Sequence, residues 1–300
     1  LKTNRKDLNI SLISPEIAVG SYQINDFALN VDALDSIFRV GITSEKFSFS
    51  DDRFIENVKI KSQAHNDSLH LFVNWDNHKQ QENFSGDIST VLTFSKPEKR
   101  AIPHINMSID SSAIIVADSV WNMKNTVVNI DSTFIDIKKL WVKSGNQHIY
   151  INGTISENPN DSLRISLQNF NLHHLNLLVE NDSLFQGVLN GTTIISSPFN
   201  NPFIYSNDSI TDFYIDKEPF GDLYLTSNWN AKEECINLVG YTRRGNIRTL
   251  DIKGDYYPKN KTLDFDTIAI EKLRLNILEP FVEGILSDVV GRVNGNFSLK

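Results

Sequence analysis

Residues 149–191 read IYINGTISENPNDSLRISLQNFNLHHLNLLVENDSLFQGVLNG, and residues 250–295 read LDIKGDYYPKNKTLDFDTIAIEKLRLNILEPFVEGILSDVVGRVNG. The two stretches carry the same parts in the same order. Gly153 matches Gly254, Leu163 and Ile165 match Leu263 and Phe265, and Leu175-Asn176-x-Leu178 matches Leu275-Asn276-x-Leu278, an offset of 100 residues (275 − 175). Both close on Gly-x-x-Asn-Gly, at Gly187 to Gly191 and Gly291 to Gly295. A repeat of this length exceeds those of the common helical solenoids, and its content is strand rather than helix.

Outward from this pair, period-two alternation dominates. Leu8, Ile10 and Leu12; Phe27, Leu29 and Val31; Leu69, Leu71, Val73 and Trp75; and Ile88, Thr90, Leu92 and Phe94 each place apolar side chains on one side of a strand. Short polar breaks separate them. Asn-Asp-Ser followed by a large aliphatic recurs at 66–69, 160–163, 181–184 and 207–210, and Asn and Asp favour turns because their side chains bond nearby backbone. Pro97, Pro103, Pro159, Pro198, Pro202, Pro219 and Pro258 fall between strand candidates, where a missing N–H costs the ladder nothing. The pattern predicts a meander of antiparallel strands.

Helical spacing occurs at equivalent points of the two copies. Leu278, Phe281, Val282, Ile285 and Val289 form one apolar stripe after Pro280, and Leu175, Leu178 and Val179 give a weaker turn. The expected fold class is therefore mainly β: a long curved antiparallel sheet forming an open groove with one or two short amphipathic helices. The organisation reads as residues 1–112, a divergent meander; 113–212, a repeat unit; and 213–300, a second unit that stops partway.

Composition bounds the function. The chain has 300 residues, 40% of them apolar, with a net charge of −8, and no dense Lys/Arg stripe offers a footprint for nucleic acid. The single cysteine, Cys235, makes no intrachain disulfide and reads as a small buried hydrophobe. The chain begins at Leu1 without a charged and apolar leader, and reads as a piece of something longer whose anchor lies elsewhere. Gly-x-Ser-x-Gly, the Walker loop, Gly-x-Gly-x-x-Gly and His-Glu-x-x-His are all absent, so no enzyme, cofactor or metal site is expected. His173-His174 point different ways on any regular backbone. Asp51-Asp52 and Glu233-Glu234 read as solvated turns, and Arg243-Arg244 and Lys138-Lys139 as local basic spots. Trp75, Trp121, Trp141 and Trp229 lie within alternating strands and read as core rather than as a carbohydrate platform. A membrane-crossing barrel is disfavoured because the strands read as shorter than the usual 9–11 residues.

The order strand–Gly–strand, Asn-Asp-Ser-Leu turn, strand, Leu-Asn-x-Leu, short amphipathic helix and Gly-x-x-Asn-Gly resembles the TamB family of the AsmA-like superfamily, in its Bacteroidetes form. The segment from Trp121 through Gln147-His148-Ile149-Tyr150-Ile151-Asn152-Gly153 shares the likeness, which covers residues 113–299 well and 1–112 only in style. The resemblance implies a curved sheet with an apolar concave face, in a protein anchored in the inner membrane and crossing the periplasm. It also implies phospholipid traffic, or assistance to outer-membrane protein assembly with an outer-membrane barrel partner. Acyl chains would then lie against Ile149, Ile151, Ile155, Ile165 and Leu167 in one unit and Leu250, Ile252, Tyr256 and Phe265 in the next. The competing expectation is a structural β-array, an adhesin-like scaffold with a filled core and no ligand.

Overall fold

Alternating sequence produces ladders only if each strand finds a neighbour, and short turns make the next strand that neighbour. The computed structural model describes the chain except at residues 1, 5–6, 21, 35, 51–52, 78–83, 97–102, 117–118, 179–183, 198–202, 216–217, 275–290 and 300. It folds as two units, Leu1–Gly145 and Asn146–Lys300.

The first unit contains β1 (Lys2–Asn4), β2 (Asp7–Val19), β3 (Tyr22–Leu34), β4 (Ile37–Ser50), β5 (Arg53–His65), β6 (Ser68–Asp76) and β7 (Ser85–Ser95). These pair consecutively and antiparallel. Beyond them come β8 (His104–Ile109), β9 (Ser112–Val116), β10 (Ser119–Met123), β11 (Thr126–Ile130) and β12 (Phe134–Ser144). Here β8 and β9 both pair with β7, while β11 and β10 both pair with β12, so each couple is one strand with a break in its middle. At that break Asn125 accepts the Ser111 N–H, replacing the missing ladder bond.

The second unit is an uninterrupted meander: β13 (Gln147–Ser156), β14 (Leu163–Asn171), β15 (Phe185–Ser196), β16 (Phe203–Ile215), β17 (Glu218–Asn230), β18 (Cys235–Arg244), β19 (Ile247–Tyr257), β20 (Thr262–Arg274) and β21 (Arg292–Leu299). Each pairs antiparallel with the next. A 3-10 helix, Leu172–Leu178, joins β14 to β15, and its entry is capped by Asn171 Oδ1 accepting the His173 N–H. The stronger helical stripe of the sequence, Leu278 to Val289, lies outside the described residues. Among the described residues no helix is long and apolar enough to cross a membrane.

Two expectations change. Strands are longer than the sequence suggested: β2, β3 and β5 each hold 13 residues and β4 holds 14. Polar residues sit inside these strands at positive φ without ending them, as at Asp26 (48°) and Asn57 (52°). Strand length therefore gives no argument against a membrane-crossing barrel. Asn207-Asp208-Ser209, read as a turn, lies in the middle of β16. Asp208 is tolerated there because its ladder partner is Gly191, which has no side chain; a Cβ at Gly191 would overlap the Asp208 carboxylate. The Asn-Asp-Ser turns at 66–68 and 160–162 do connect strands.

Geometry recurs within the second unit. Gly187 and Gly291 both have strongly positive φ, 133° and 141°, beyond the reach of ordinary L residues. The β14–β15 ladder skips register between Leu167 and Phe170, and β20–β21 does so between Ile270 and Leu273. Gly191 faces Leu167 and Gly295 faces Ile270. One correspondence shifts: Gly153 faces Leu163, whereas Gly254 faces Phe265 and Leu263 faces Tyr256. The second hairpin carries its ladder beyond that glycine before turning, which slides the leucine towards the loop.

Candidate functional site

Directly paired residues of antiparallel strands share a face, so the registers sort every strand residue to one side or the other. In the second unit one row runs Ile149, Leu167, Gly191, Asp208, Leu225, Gly240, Ile252 and Ile268 across β13 to β20. The next row is Ile151, Ile165, Thr193, Ser206, Ser227, Leu238, Gly254 and Phe265. Flanking them on the same face are Leu163, Ile195 and Ile204 at one end, and Ile210, Leu223, Thr242, Leu250 and Ile270 at the other. Ile155 joins this face by strand parity, and Tyr256 by pairing with Ile236. The residues nominated from the sequence, in both copies, therefore lie on a single face. The opposite face carries Asn152, Arg164, Ile194, Tyr205, Asn228, Asn237, Asp255 and Asp264 in one row and Tyr150, Ser166, Thr192, Asn207, Thr226, Val239, Lys253 and Thr267 in another, so it is mainly polar, with Ile194 and Val239 as its aliphatic members.

Burial on the apolar face is incomplete. Ile149, Ile151, Ile155, Ile165, Leu167, Leu250, Ile252, Tyr256 and Phe265 are all half-buried. A second layer packed at interior density would remove such side chains from water entirely. The described apolar residues of this unit that are fully buried are Leu163, Leu172, Phe220, Cys235 and Ile270. Phe220 and Ile270 form a local cluster at one end of the sheet with Phe213, Ile215, Leu250, Ile268 and Val293. Leu250 thus serves partly as core, unlike the other nominated residues.

A polar seam divides the face. Ser206 donates to Asp208 Oδ2 at 2.6 Å and Ser227 donates to Ser206 at 3.0 Å. The seam leaves an apolar field on β13–β15 and another on β18–β20. Three strands span about 10 Å, roughly the width of an acyl chain pair.

The first unit is sorted in the same way. Leu8, Ala33, Phe38, Ala64, Leu69, Leu92, Met107, Val128 and Ile137 form one apolar row, and Leu12, Leu29, Ile42, Ile60, Val73 and Ile88 another. Trp75 lies over Gly86 on this face: a Cβ there would come within 2.7 Å of the ring. Trp121 is buried, as core, and Trp141 is 36% exposed with the Lys124 ammonium 5.1 Å from its ring. A concavity of about 480 Å³ in this unit opens on the polar side. Asp32, Arg39, Gln63 and His70 edge it on one flank and Asn30, Gly41, Lys61 and Phe72 on the other, and between the flanks run Ile10, Val31, Val40, Ser62 and Leu71 of the intervening row. Gly41 creates the hollow by carrying no side chain; Arg39 Nη1 donates to Asp32 Oδ2 at 3.1 Å beside it.

The remaining candidates separate. His173 is exposed and His174 half-buried, and burial, followed by the neighbouring His173, lowers the His174 pKa. Asp51-Asp52 lie outside the described residues. Glu233 and Glu234 occupy a turn, yet register brings Glu233, Cys235 and Asp255 together with ligand atoms within 4.8 Å of one another. Sequence distance concealed this group, and only the β18–β19 pairing reveals it. Asn237 Nδ2 binds it from within, donating to Asp255 Oδ1 at 2.5 Å and to Cys235 Sγ at 3.6 Å. Burial, then Asp255 and Glu233, push the Cys235 thiol up, keeping it protonated.

No family model, curated protein or solved structure matches the chain.

Proposed function

We propose that the chain is a lipid-handling segment of a TamB-like envelope protein. Its apolar sheet faces receive phospholipid acyl chains on the way between inner and outer membranes, or support outer-membrane protein assembly beside a barrel partner. The reading places it in the periplasm, as part of a protein anchored in the inner membrane. One observation carries it: every nominated apolar residue of the second unit falls on one sheet face and keeps contact with solvent, while the other face is mainly polar.

Such a face binds by area rather than by a unique contact. Each methylene leaving water contributes about 0.8 kcal/mol, so about eight methylenes supply about 6 kcal/mol before the cost of ordering the chain. Weak, repeated positions suit a cargo that must move on. The chemistry needs no reactive group.

The polar seam Asp208–Ser206–Ser227 favours the second reading, a ligand-free structural array, because it interrupts hydrocarbon contact at β16 and β17. Extraction of the purified chain, with titration of an apolar fluorophore into the folded protein, separates the two. Co-purified phospholipid and saturable dye binding support the lipid reading. A clean extract with no saturable binding leaves the scaffold.

A further inference from the structure

We propose that the β18–β19 hairpin tip docks on an anionic lipid bilayer, with Ile247 entering the interface and Arg243, Arg244 and Arg248 holding lipid phosphates. Gly245, at φ 61°, makes the turn with Asn246. In the ladder Arg243 faces Arg248, and Arg244 faces Ile247. Arginines therefore flank the apex on both faces of the sheet, and Ile247 between them is 41% exposed. An exposed aliphatic side chain beside the apex of a hairpin, flanked by guanidinium groups, has little packing role and suits the boundary between headgroups and hydrocarbon.

The arginines are held rather than loose. The Tyr224 and Tyr241 rings stack at 5.0 Å with an interplanar angle of 22°. The Arg248 guanidinium sits 4.0 Å from the Tyr241 ring centre, and that of Arg243 5.7 Å from Tyr224, whose hydroxyl accepts its Nη2 at 3.5 Å. These aromatic contacts and hydrogen bonds hold the two guanidinium groups, and their remaining N–H groups, unpaired among the described residues, can fork onto phosphate oxygens.

Among the described residues, Asp251 accepts Arg248 Nη1 at 2.8 Å, and Asp222, which faces Arg243 in the ladder, accepts the Asp212 backbone N–H at 3.1 Å, so both carboxylates are already engaged. The exposed isoleucine is what selects a bilayer over a soluble anion. This inference is independent of acyl-chain binding on the apolar face, since it concerns the strand ends.

Co-sedimentation of the full chain with vesicles tests it. Phosphatidylcholine vesicles containing phosphatidylglycerol should bind the chain about ten-fold better than phosphatidylcholine alone, and added salt should weaken that binding. R243Q/R244Q/R248Q should lose at least about ten-fold, since each arginine near an anionic surface is worth roughly five-fold. R244E alone, an exposed position outside the tyrosine stack, should lose binding with an unchanged unfolding midpoint, which separates docking from folding. I247S should weaken binding while keeping its salt dependence. Equal binding to neutral vesicles, full binding by R244E, or release of wild-type chain by millimolar glycerol 3-phosphate would each overturn the proposal.

Discussion

Replacing Asn176 by alanine tests how the 3-10 helix fastens the second unit. Asn176 is 1% exposed, and its side chain bonds both backbone groups of one residue. Nδ2 donates to the Phe185 carbonyl at 2.9 Å, and Oδ1 accepts the Phe185 N–H at 2.9 Å. The amide thereby acts as a surrogate ladder partner at the start of β15, beyond the last β14 pair, Asn171 with Val188. Alanine leaves one buried N–H and one C=O without partners, at about 1–3 kcal/mol each. Phe185 is only half-buried, so water recovers part of this, and the expected cost is about 2–3 kcal/mol. Hydrogen exchange read on peptides spanning the start of β15 should show the Phe185 amide exchanging about 30-fold faster or more. Aspartate keeps the acceptor and loses the donor, so Asn176→Asp should retain much of that amide's protection while still destabilising the fold. Exchange at Phe185 within two-fold of wild type in Asn176→Ala would refute the clamp.

Further outcomes follow from backbone geometry and titration. Gly153 has φ 122° and a Cβ there would run into the Ser162 carbonyl oxygen, whereas Gly245 has φ 61° with open space around it. Gly153→Ala should cost about 3 kcal/mol or more and Gly245→Ala about 1 kcal/mol in urea unfolding; equal costs would contradict the steric account. His174 has its pKa lowered from 6.5 by burial. The folded state then binds its proton less readily than the unfolded one, so this stabilisation is intact above pH 6.5 and fades as pH falls through the lowered value. His174→Gln should flatten the fall in unfolding midpoint below that pH, and an unchanged slope would remove His174 from the account.

Alternation made the strands and their apolar sides legible, because side-chain period two survives wherever one face is water-exposed. Ile149, Ile151, Ile165 and Leu167 were readable as one face for that reason. What alternation does not encode is register between strands. Glu233, Cys235 and Asp255 meet only through the β18–β19 ladder, and Asn207-Asp208-Ser209 stays extended only because Gly191 makes room opposite. Strand length was underestimated because residues such as Asp26 and Asn57 adopt positive φ within a strand rather than ending it. The concavity beside Gly41 was hidden too, since a hollow on a polar face depends on which cross-strand neighbours lack side chains.

The central claim is that hydrocarbon meets one face of these sheets. Photolysis of a phospholipid bearing a diazirine on its acyl chain, followed by mass-spectrometric mapping of adducts on the folded chain, tests it most directly. The account predicts labels at Ile149, Ile151, Ile165, Leu167 and Ile252, and none at Tyr150, Ser166, Thr226 or Lys253 on the reverse. Labels divided evenly between the two faces, or absent from both, would contradict it.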